Sequence, residues 1–242
     1  MIVVRNLSKS FPDGGTLFSG IHLDIEEGEF VAVLGASGSG KTVFLRCLGL
    51  YEKWSQGKLY YRDMDIFEMG WKGKRLIRKE WALIEEQPRL NPNKSAIKNV
   101  LDGSRKHRPW WRLLTGTVPE SEYVNGMDYL EKAGLLNKAK AKVGQLSGGE
   151  VQRVAIAKAL AQGAKVVLAD EPVSNLDPHT AEAMIADIRG MCDKHKLTVI
   201  CTFHKVELAE KYATRLIGLG QKRLLFDVTG RRLTMQEKNA IS

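Results

Sequence analysis

Cysteine is scarce in this chain. Cys47, Cys192 and Cys201 lie in apolar or helical contexts, without the paired spacing of a zinc site or a disulfide framework. They read as reduced packing residues. No apolar run approaches the roughly 20 residues needed to span a bilayer, which excludes a membrane-spanning helix. The first residues, Met1-Ile2-Val3-Val4-Arg5, lack the basic stretch, apolar run and small-residue cleavage site of a signal peptide, so a cytoplasmic location is expected. Aromatic residues make up only 7% of the chain, and no RNA-binding signature or stacking pattern accompanies its basic residues. Internal repeats, low-complexity tracts and long linkers are absent as well.

What is present fits an ordinary globular protein: 242 residues, 43% hydrophobic and 27% charged, enough to bury a substantial core. The net charge of +9, with clusters at residues 72–79 and 105–108, could point to nucleic acid or an anionic membrane face, or form a solvated surface near the membrane. Without a recognition motif, the solvated surface is the preferred reading, and no nucleic acid is expected as a partner.

The periodicity is that of an α/β chain. Phe30–Leu34 is a short run of β-formers that stops at glycine, and residues 43–50 resume with helical spacing. Val166–Ala169 and residues 197–203 are nearly continuous apolar runs, as expected in a parallel sheet covered on both faces. These strands end at Gly35, Asp170 and His204, and ligands of open α/β sheets sit beyond the carboxyl ends of strands. Residues 2–29 and 58–66 are expected to form antiparallel strands, with a turn at Pro12-Asp13-Gly14-Gly15. From about 88 to 145 the pattern changes to helices broken by Pro92, Pro109 and Pro119. The clearest spans 121–134, with Tyr123, Met127, Leu130 and Ala133 on one face.

Three motifs carry chemistry. Gly35-Ala36-Ser37-Gly38-Ser39-Gly40-Lys41-Thr42 fits G-x-x-x-x-G-K-[ST], whose glycines turn successive N–H groups inward as an anion nest at a helix start. Lys41 would reach the β- and γ-phosphates and the Thr42 hydroxyl would bind Mg²⁺. Asp170 follows four apolar residues, which puts its carboxylate at a strand tip to hold Mg²⁺ through water. Adjacent residues of a strand-like segment point apart, so Glu171 is free to act as general base on the attacking water. Ser147-Gly148-Gly149 precedes a helical run at 151–160; serine caps the helix, and the glycines let a γ-phosphate approach its positive end.

In this order, with Leu146-Ser147-Gly148-Gly149-Glu150 continuing to Gln152-Arg153, the chain resembles the ATP-binding cassette (ABC) ATPases over nearly its whole length. The resemblance implies an α/β P-loop NTPase with a RecA-like core, an antiparallel β-subdomain and an inserted helical subdomain. Residues 1–242 would form a single ABC ATPase domain: core and β-subdomain at about 1–87 and 160–226, helical subdomain at about 88–159, and a short polar tail at 227–242 without an assigned role. ATP and Mg²⁺ are the implied cofactors. Also implied are a homodimer in which Ser147-Gly148-Gly149 faces the partner's nucleotide, two transmembrane permease subunits, and indirectly an extracytoplasmic solute-binding protein. The chain would sit peripherally on the cytoplasmic face of the cell membrane.

By the same resemblance His204 contacts the γ-phosphate and positions water, and Gln87 joins the metal site to the helical block. Asp177, in Ser174-Asn175-Leu176-Asp177, lies in the D-loop that contacts the partner site. Phe11 is placed to stack on adenine, with core packing as the alternative. Two departures stand out: Glu150 where glutamine is more frequent, with a modest effect on affinity expected, and Glu85-Glu86 before Gln87 where relatives often carry an aromatic residue.

His204 to Ala209, Tyr212, Arg215 and Ile217-Gly218-Leu219 are similar to the ATPase subunit of phosphonate importers. So are Arg112-Leu113-Leu114, Val118-Pro119-Glu120 and Glu131-Lys132-Ala133-Gly134-Leu135. That likeness implies phosphonate or phosphite as cargo. The alternatives are an importer of another small solute, or a non-transport ABC ATPase of a cytosolic complex. A single cassette without a long coiled-coil insertion favours transport.

Overall fold

The structure is a computed structural model that describes residues 1–104, 118–174 and 176–241, His195 by its backbone alone. The basic cluster at 105–108, Pro109, Arg112-Leu113-Leu114 and Asn175 lie outside the described residues. The strands are β1 (Ile2–Ser10), β2 (Thr16–Ile25), β3 (Phe30–Leu34), β4 (Gln56–Tyr61), β5 (Met64–Asp65), β6 (Trp81–Ile84), β7 (Val166–Ala169), β8 (Thr198–Thr202), β9 (Arg215–Gly220) and β10 (Arg223–Thr229). The described helices are α1 (Lys41–Leu48), α2 (Trp71–Glu80), α3 (Ala96–Ser104), α4 (Glu120–Lys132), α5 (Gly148–Ala161), α6 (Pro178–His195), α7 (Val206–Tyr212) and α8 (Met235–Ala240).

Six strands form the central sheet in the order β10-β9-β3-β8-β7-β6, parallel except for the edge strand β10, which pairs antiparallel with β9. Its strands β3, β7 and β8 are buried along their whole length. Alternation divides their side chains between two cores. Phe30, Ala32, Leu34, Val167, Ala169, Val199 and Cys201 pack against α5 and α6. Val31, Val33, Val166, Leu168 and Ile200 face the other way, onto α1 and the second sheet. Burial of each such aliphatic side chain stabilises by about 1.5–3 kcal/mol relative to exposure, which explains why runs without polar alternation read as strands.

The second sheet, β2-β1-β4-β5, is antiparallel, as expected for residues 2–29 and 58–66, and Pro12 to Gly15 form the turn between β1 and β2. Trp81, at the start of β6, is fully buried and meets Tyr61 of β4 edge-on at 5.4 Å, tying the two sheets together. The helical block has a core of its own in Ile97, Val100 and Leu101 of α3, Leu130 of α4, and Val154 and Ala157 of α5. The opposite flank of α5, with Ile156, Ala159 and Leu160, belongs to the sheet core. One helix is thus shared between the helical block and the sheet.

The tail corrects the sequence reading. Leu233 and Ile241 are buried in the sheet core, and Thr234 caps α8 in a reciprocal pair with Glu237, whose carboxyl is held down at about 2, chiefly by Arg231. It is an anchored closure of the sheet edge rather than a polar appendage. All three cysteines are free and buried, and burial pushes the Cys47 and Cys192 thiols up to about 12. Among the described residues, no helix is long and apolar enough to cross a membrane.

Candidate active site

The carboxyl ends of β3, β8, β7 and β6 lie side by side, because these strands are neighbours in the sheet. Each delivers one part of the site: the loop 35–40 follows β3, His204 follows β8, Asp170 and Glu171 follow β7, and Gln87 follows β6. Sequence spacing placed residues at strand ends; strand order makes those after β3, β8 and β7 adjacent, while Gln87 after β6 lines a different cleft.

The loop after β3 wraps tightly. Gly38 and Gly40 take left-handed conformations, with φ of 78° and 95°. A Cβ at Gly35 would fall 2.2 Å from the carbonyl oxygen of Leu219 on β9 and 2.6 Å from Ser39 Oγ, so only glycine fits there. Lys41, the first residue of α1, is buried and folds back to donate to the carbonyls of Gly35 (2.8 Å) and Ala36 (3.1 Å). Desolvation draws its ammonium below the ordinary lysine range, against the opposing pull of Glu171 and Asp170.

Asp170 sits against α1. Its Oδ1 accepts from the hydroxyls of Thr42 (3.1 Å) and Thr202 (2.9 Å). Glu171 differs from the sequence expectation. It is not strand-like: its φ is +47°, and β7 already ends at Ala169. The two carboxylates diverge because the chain bends into the left-handed region, not because a strand alternates. Glu171 Oε2 lies 2.7 Å from His204 Nε2. Lys41, Thr42, Ser37, Gly38, Glu171 and His204 line one open cleft, together with Phe11 and Leu17. Phe11 is 43% exposed, which rules out its reading as a core residue. Leu17 was not anticipated; its side chain would stand 3.0 Å from a Cβ at Gly40, and it lines the cleft with Phe11.

The remaining predicted residues lie elsewhere. Ser147, Gly148, Gly149 and Asp177 line a second cleft that shares no residue with the first. Ser147 caps α5 by accepting from Glu150 N (3.3 Å), while Glu150 Oε2 accepts from Ser147 N (2.9 Å). The departure at Glu150 is therefore half of a capping box. Asp177 caps α6 through Thr180 N at 3.1 Å, and the hydrogen bonds from Thr180 lower its carboxyl below the usual range. Gln87 is exposed and is not brought to the Thr42–Asp170 pair; it lines a third cleft with Leu146, Val151 and Pro172. Gln152, which sequence reasoning passed over, is buried and donates to the carbonyl of Glu86 at 2.7 Å, and Ser174 Oγ donates to the Glu86 carboxylate at 3.0 Å. Glu86 thus joins α5 and the D-loop segment to the chain before Gln87.

The first cleft suits a nucleotide phosphate and a hard cation. Left-handed glycines at a helix start form an anion nest, and the buried Ser39 Oγ has no hydrogen-bond partner among the described residues. A hydroxyl and a carboxylate 3.1 Å apart are the few oxygen ligands that Mg²⁺ takes from a protein when phosphate and water complete its shell.

Comparison with known proteins agrees. Residues 18–174 match the ABC transporter family. The phosphonates import ATP-binding protein PhnC 1 of Halalkalibacterium halodurans is 37% identical over 234 residues, spanning 97% of this chain and 91% of that protein. PhnC of Bdellovibrio bacteriovorus is also 37% identical, across 93% of this chain and 87% of its own length. Among solved structures, the ATP-binding cassette MJ0796, a dimer in a post-hydrolysis state bound to ADP and Pi, superimposes with a TM-score of 0.82 at 28% identity, covering 96% of this chain and 100% of that one. The fold is that of an ABC cassette, and the chain belongs to the ABC transporter family as one of its ATPase subunits.

Proposed function

We propose that this chain is the ATP-hydrolysing subunit of a binding-protein-dependent importer for phosphonate or phosphite. It would work as a homodimer beneath two transmembrane permease subunits on the cytoplasmic face of the membrane. The observation that carries the catalytic part is the 2.7 Å approach of His204 Nε2 to the Glu171 carboxylate, in one cleft with Lys41 and the glycine loop. Phe11 stacks on adenine, the loop N–H groups and Lys41 hold the phosphates, and Thr42 and Asp170 hold Mg²⁺, joined by Gln87 once its loop closes. Bound there, Mg²⁺ would neutralise charge on the β- and γ-phosphate oxygens. Glu171 takes the proton of the attacking water, and His204 orients that carboxylate and meets the γ-phosphate.

The second cleft is complete as a helix start yet shares no residue with the first within one chain. Its place in the mechanism is against the nucleotide of a second copy, with Ser147 and Asp177 at the junction. The cargo reading rests on the import proteins named above and on the sequence after His204; solute selection would belong to the permease and to an extracytoplasmic binding protein. The test is uptake of a labelled alkylphosphonate by cells carrying this chain or Glu171→Gln, with phosphite, phosphate and a sugar as controls. Uptake of phosphonate or phosphite that the variant abolishes supports engine and cargo together. Equal uptake with either chain removes the cargo assignment. The purified variant should bind ATP, accumulate as a closed dimer and lose turnover; near-normal hydrolysis would sink the role of Glu171.

A further inference from the structure

We propose that Thr202 is a positioning residue that sets both acids of the site with a single hydroxyl. The residue closes β8 and is completely buried. Its Oγ1 donates to Asp170 Oδ1 at 2.9 Å and accepts the backbone N–H of Glu171 at 2.8 Å. A threonine hydroxyl has one proton to give and lone pairs to receive, and here both capacities are spent on consecutive residues of the neighbouring strand's end.

The two bonds do different work. The first, with the Thr42 hydroxyl on the same oxygen, fixes the rotation of the Asp170 carboxylate. Both hydroxyls fall on Oδ1, so Oδ2 receives no bond from the described residues and is the oxygen turned over to a cation. The second holds the bend at Glu171, whose φ of +47° is unfavourable for a residue with a side chain. Among the described residues, three hydrogen bonds of backbone groups pin that bend: Asp170 N to Ile84 O (2.8 Å), Glu171 N to Thr202 Oγ1 (2.8 Å), and Ser174 N to Glu171 O (3.2 Å). Thr202 supplies the central one. Without it a buried N–H loses its partner at the point where the chain must turn the wrong way.

Thr202 can do this because of its strand. β8 lies between β3, which carries the glycine loop, and β7, which carries the acids; Val33 is its register partner on one side. Its side chain shares the parity of Ile200, the face on which α1 and Thr42 pack. One rigid central strand therefore references both acids to the phosphate loop. Completely buried, Thr202 acts through Asp170 and Glu171.

The inference rests on the roles given to those two acids, and its test separates the two. Thr202→Val keeps shape and removes the hydroxyl; Thr202→Ser keeps the hydroxyl and removes the methyl. The readout is Mn²⁺ affinity by electron paramagnetic resonance in the presence of ADP, with turnover per folded site and thermal melting measured alongside. Thr202→Val is expected to weaken Mn²⁺ binding about 10-fold and turnover about 10- to 100-fold, the scale set by a lost charge-assisted bond and an unsatisfied N–H. Thr202→Ser should stay within about threefold of the parent for both. A Thr202→Val protein that melts lower but keeps parental Mn²⁺ affinity and turnover per folded site overturns the proposal, since the hydroxyl is then only a fold contact. So does a Thr202→Ser protein as impaired as Thr202→Val. Should valine not be accommodated, Thr202→Ala removes the same hydroxyl and is read the same way. Failure of the Glu171 assignment would show as hydrolysis by Glu171→Gln and leaves the Mn²⁺ result independent.

Discussion

The two clefts of this molecule are built on opposite plans. Around the glycine loop, the decisive groups are buried or half-buried and bonded between elements distant in sequence: Thr42 to Asp170, and Thr202 to Asp170 and Glu171. At the second cleft, Ser147 and Asp177 are exposed, and each is bonded only to the first turn of its own helix. The first is organised by the fold, so a chain on its own holds it in shape. The second is organised by local capping, and nothing in the described chain is arranged opposite it. A surface so well formed and so open acquires its function from what docks against it. That is the physical content of proposing a second copy.

Glycine substitutions should break the two plans differently. Gly35→Ala brings a Cβ to 2.2 Å from the backbone of Leu219, and backbone cannot swing aside as a side chain can. We expect a loss of at least about 2 kcal/mol from overpacking, a melting temperature lower by roughly 4–8 °C for a chain of this size, and no measurable ATP binding. Differential scanning fluorimetry and a fluorescent-nucleotide titration check both. An alanine variant that binds nucleotide with parental affinity would show the loop to be far more deformable than its packing indicates.

Gly148→Ala is the counterpart. A Cβ there meets nothing within 4 Å, and alanine is the better helix former. Melting and nucleotide binding by the single chain should be unchanged. Turnover should nevertheless fall about tenfold or more, because a methyl stands where a partner's phosphate must approach, an intrusion costing about 1–3 kcal/mol. If turnover survives, the second cleft does not meet nucleotide closely, and the contrast between the two clefts loses its functional meaning.

This division also explains what the sequence discloses. The strands Phe30–Leu34 and Val166–Ala169 were legible to the residue because both faces are buried, leaving no polar interruption. The glycine loop was legible because its backbone admits only certain residues. β6 was not legible: Trp81–Ile84 abuts α2 without glycine or proline between them, and four apolar residues do not distinguish strand from helix. Thr202 was invisible for a related reason. In a run of β-formers a threonine is unremarkable, and its importance comes from strand neighbours that pair over 30 residues of chain away. The bend at Glu171 carries no local signal either; it is enforced by Thr202 and Ile84 from outside. The anchoring of the tail by Leu233 and Ile241 depends on where the sheet edge lies, which no local pattern encodes. At the second cleft, by contrast, Ser147 was readable as a cap, since capping is a local interaction; the capping by Glu150 and Asp177 is equally local, yet in the sequence these residues read as an added charge and a partner contact.

The finest test of the local plan is Glu150→Gln, which restores the residue more frequent at this position. The sequence suggested only an added negative charge; the structure shows a carboxylate accepting from Ser147 N at 2.9 Å, with Lys138 3.8 Å from its other oxygen. Glutamine can also accept at that position of a capping box, so the helix start should survive. What is lost is a charge favourable to the helix dipole, worth about 0.3–1 kcal/mol at low ionic strength and less in salt. The melting temperature should therefore drop by no more than roughly 2–4 °C, the shift expected from 1 kcal/mol in a chain of this size. The KM for ATP should move the opposite way, falling modestly at low salt as repulsion of a partner's γ-phosphate is relieved, with the difference closing as salt is raised. Steady-state kinetics at two ionic strengths separate these effects. A KM indifferent to both substitution and salt would confine Glu150 to capping, and would place the docked phosphate beyond the reach of its charge.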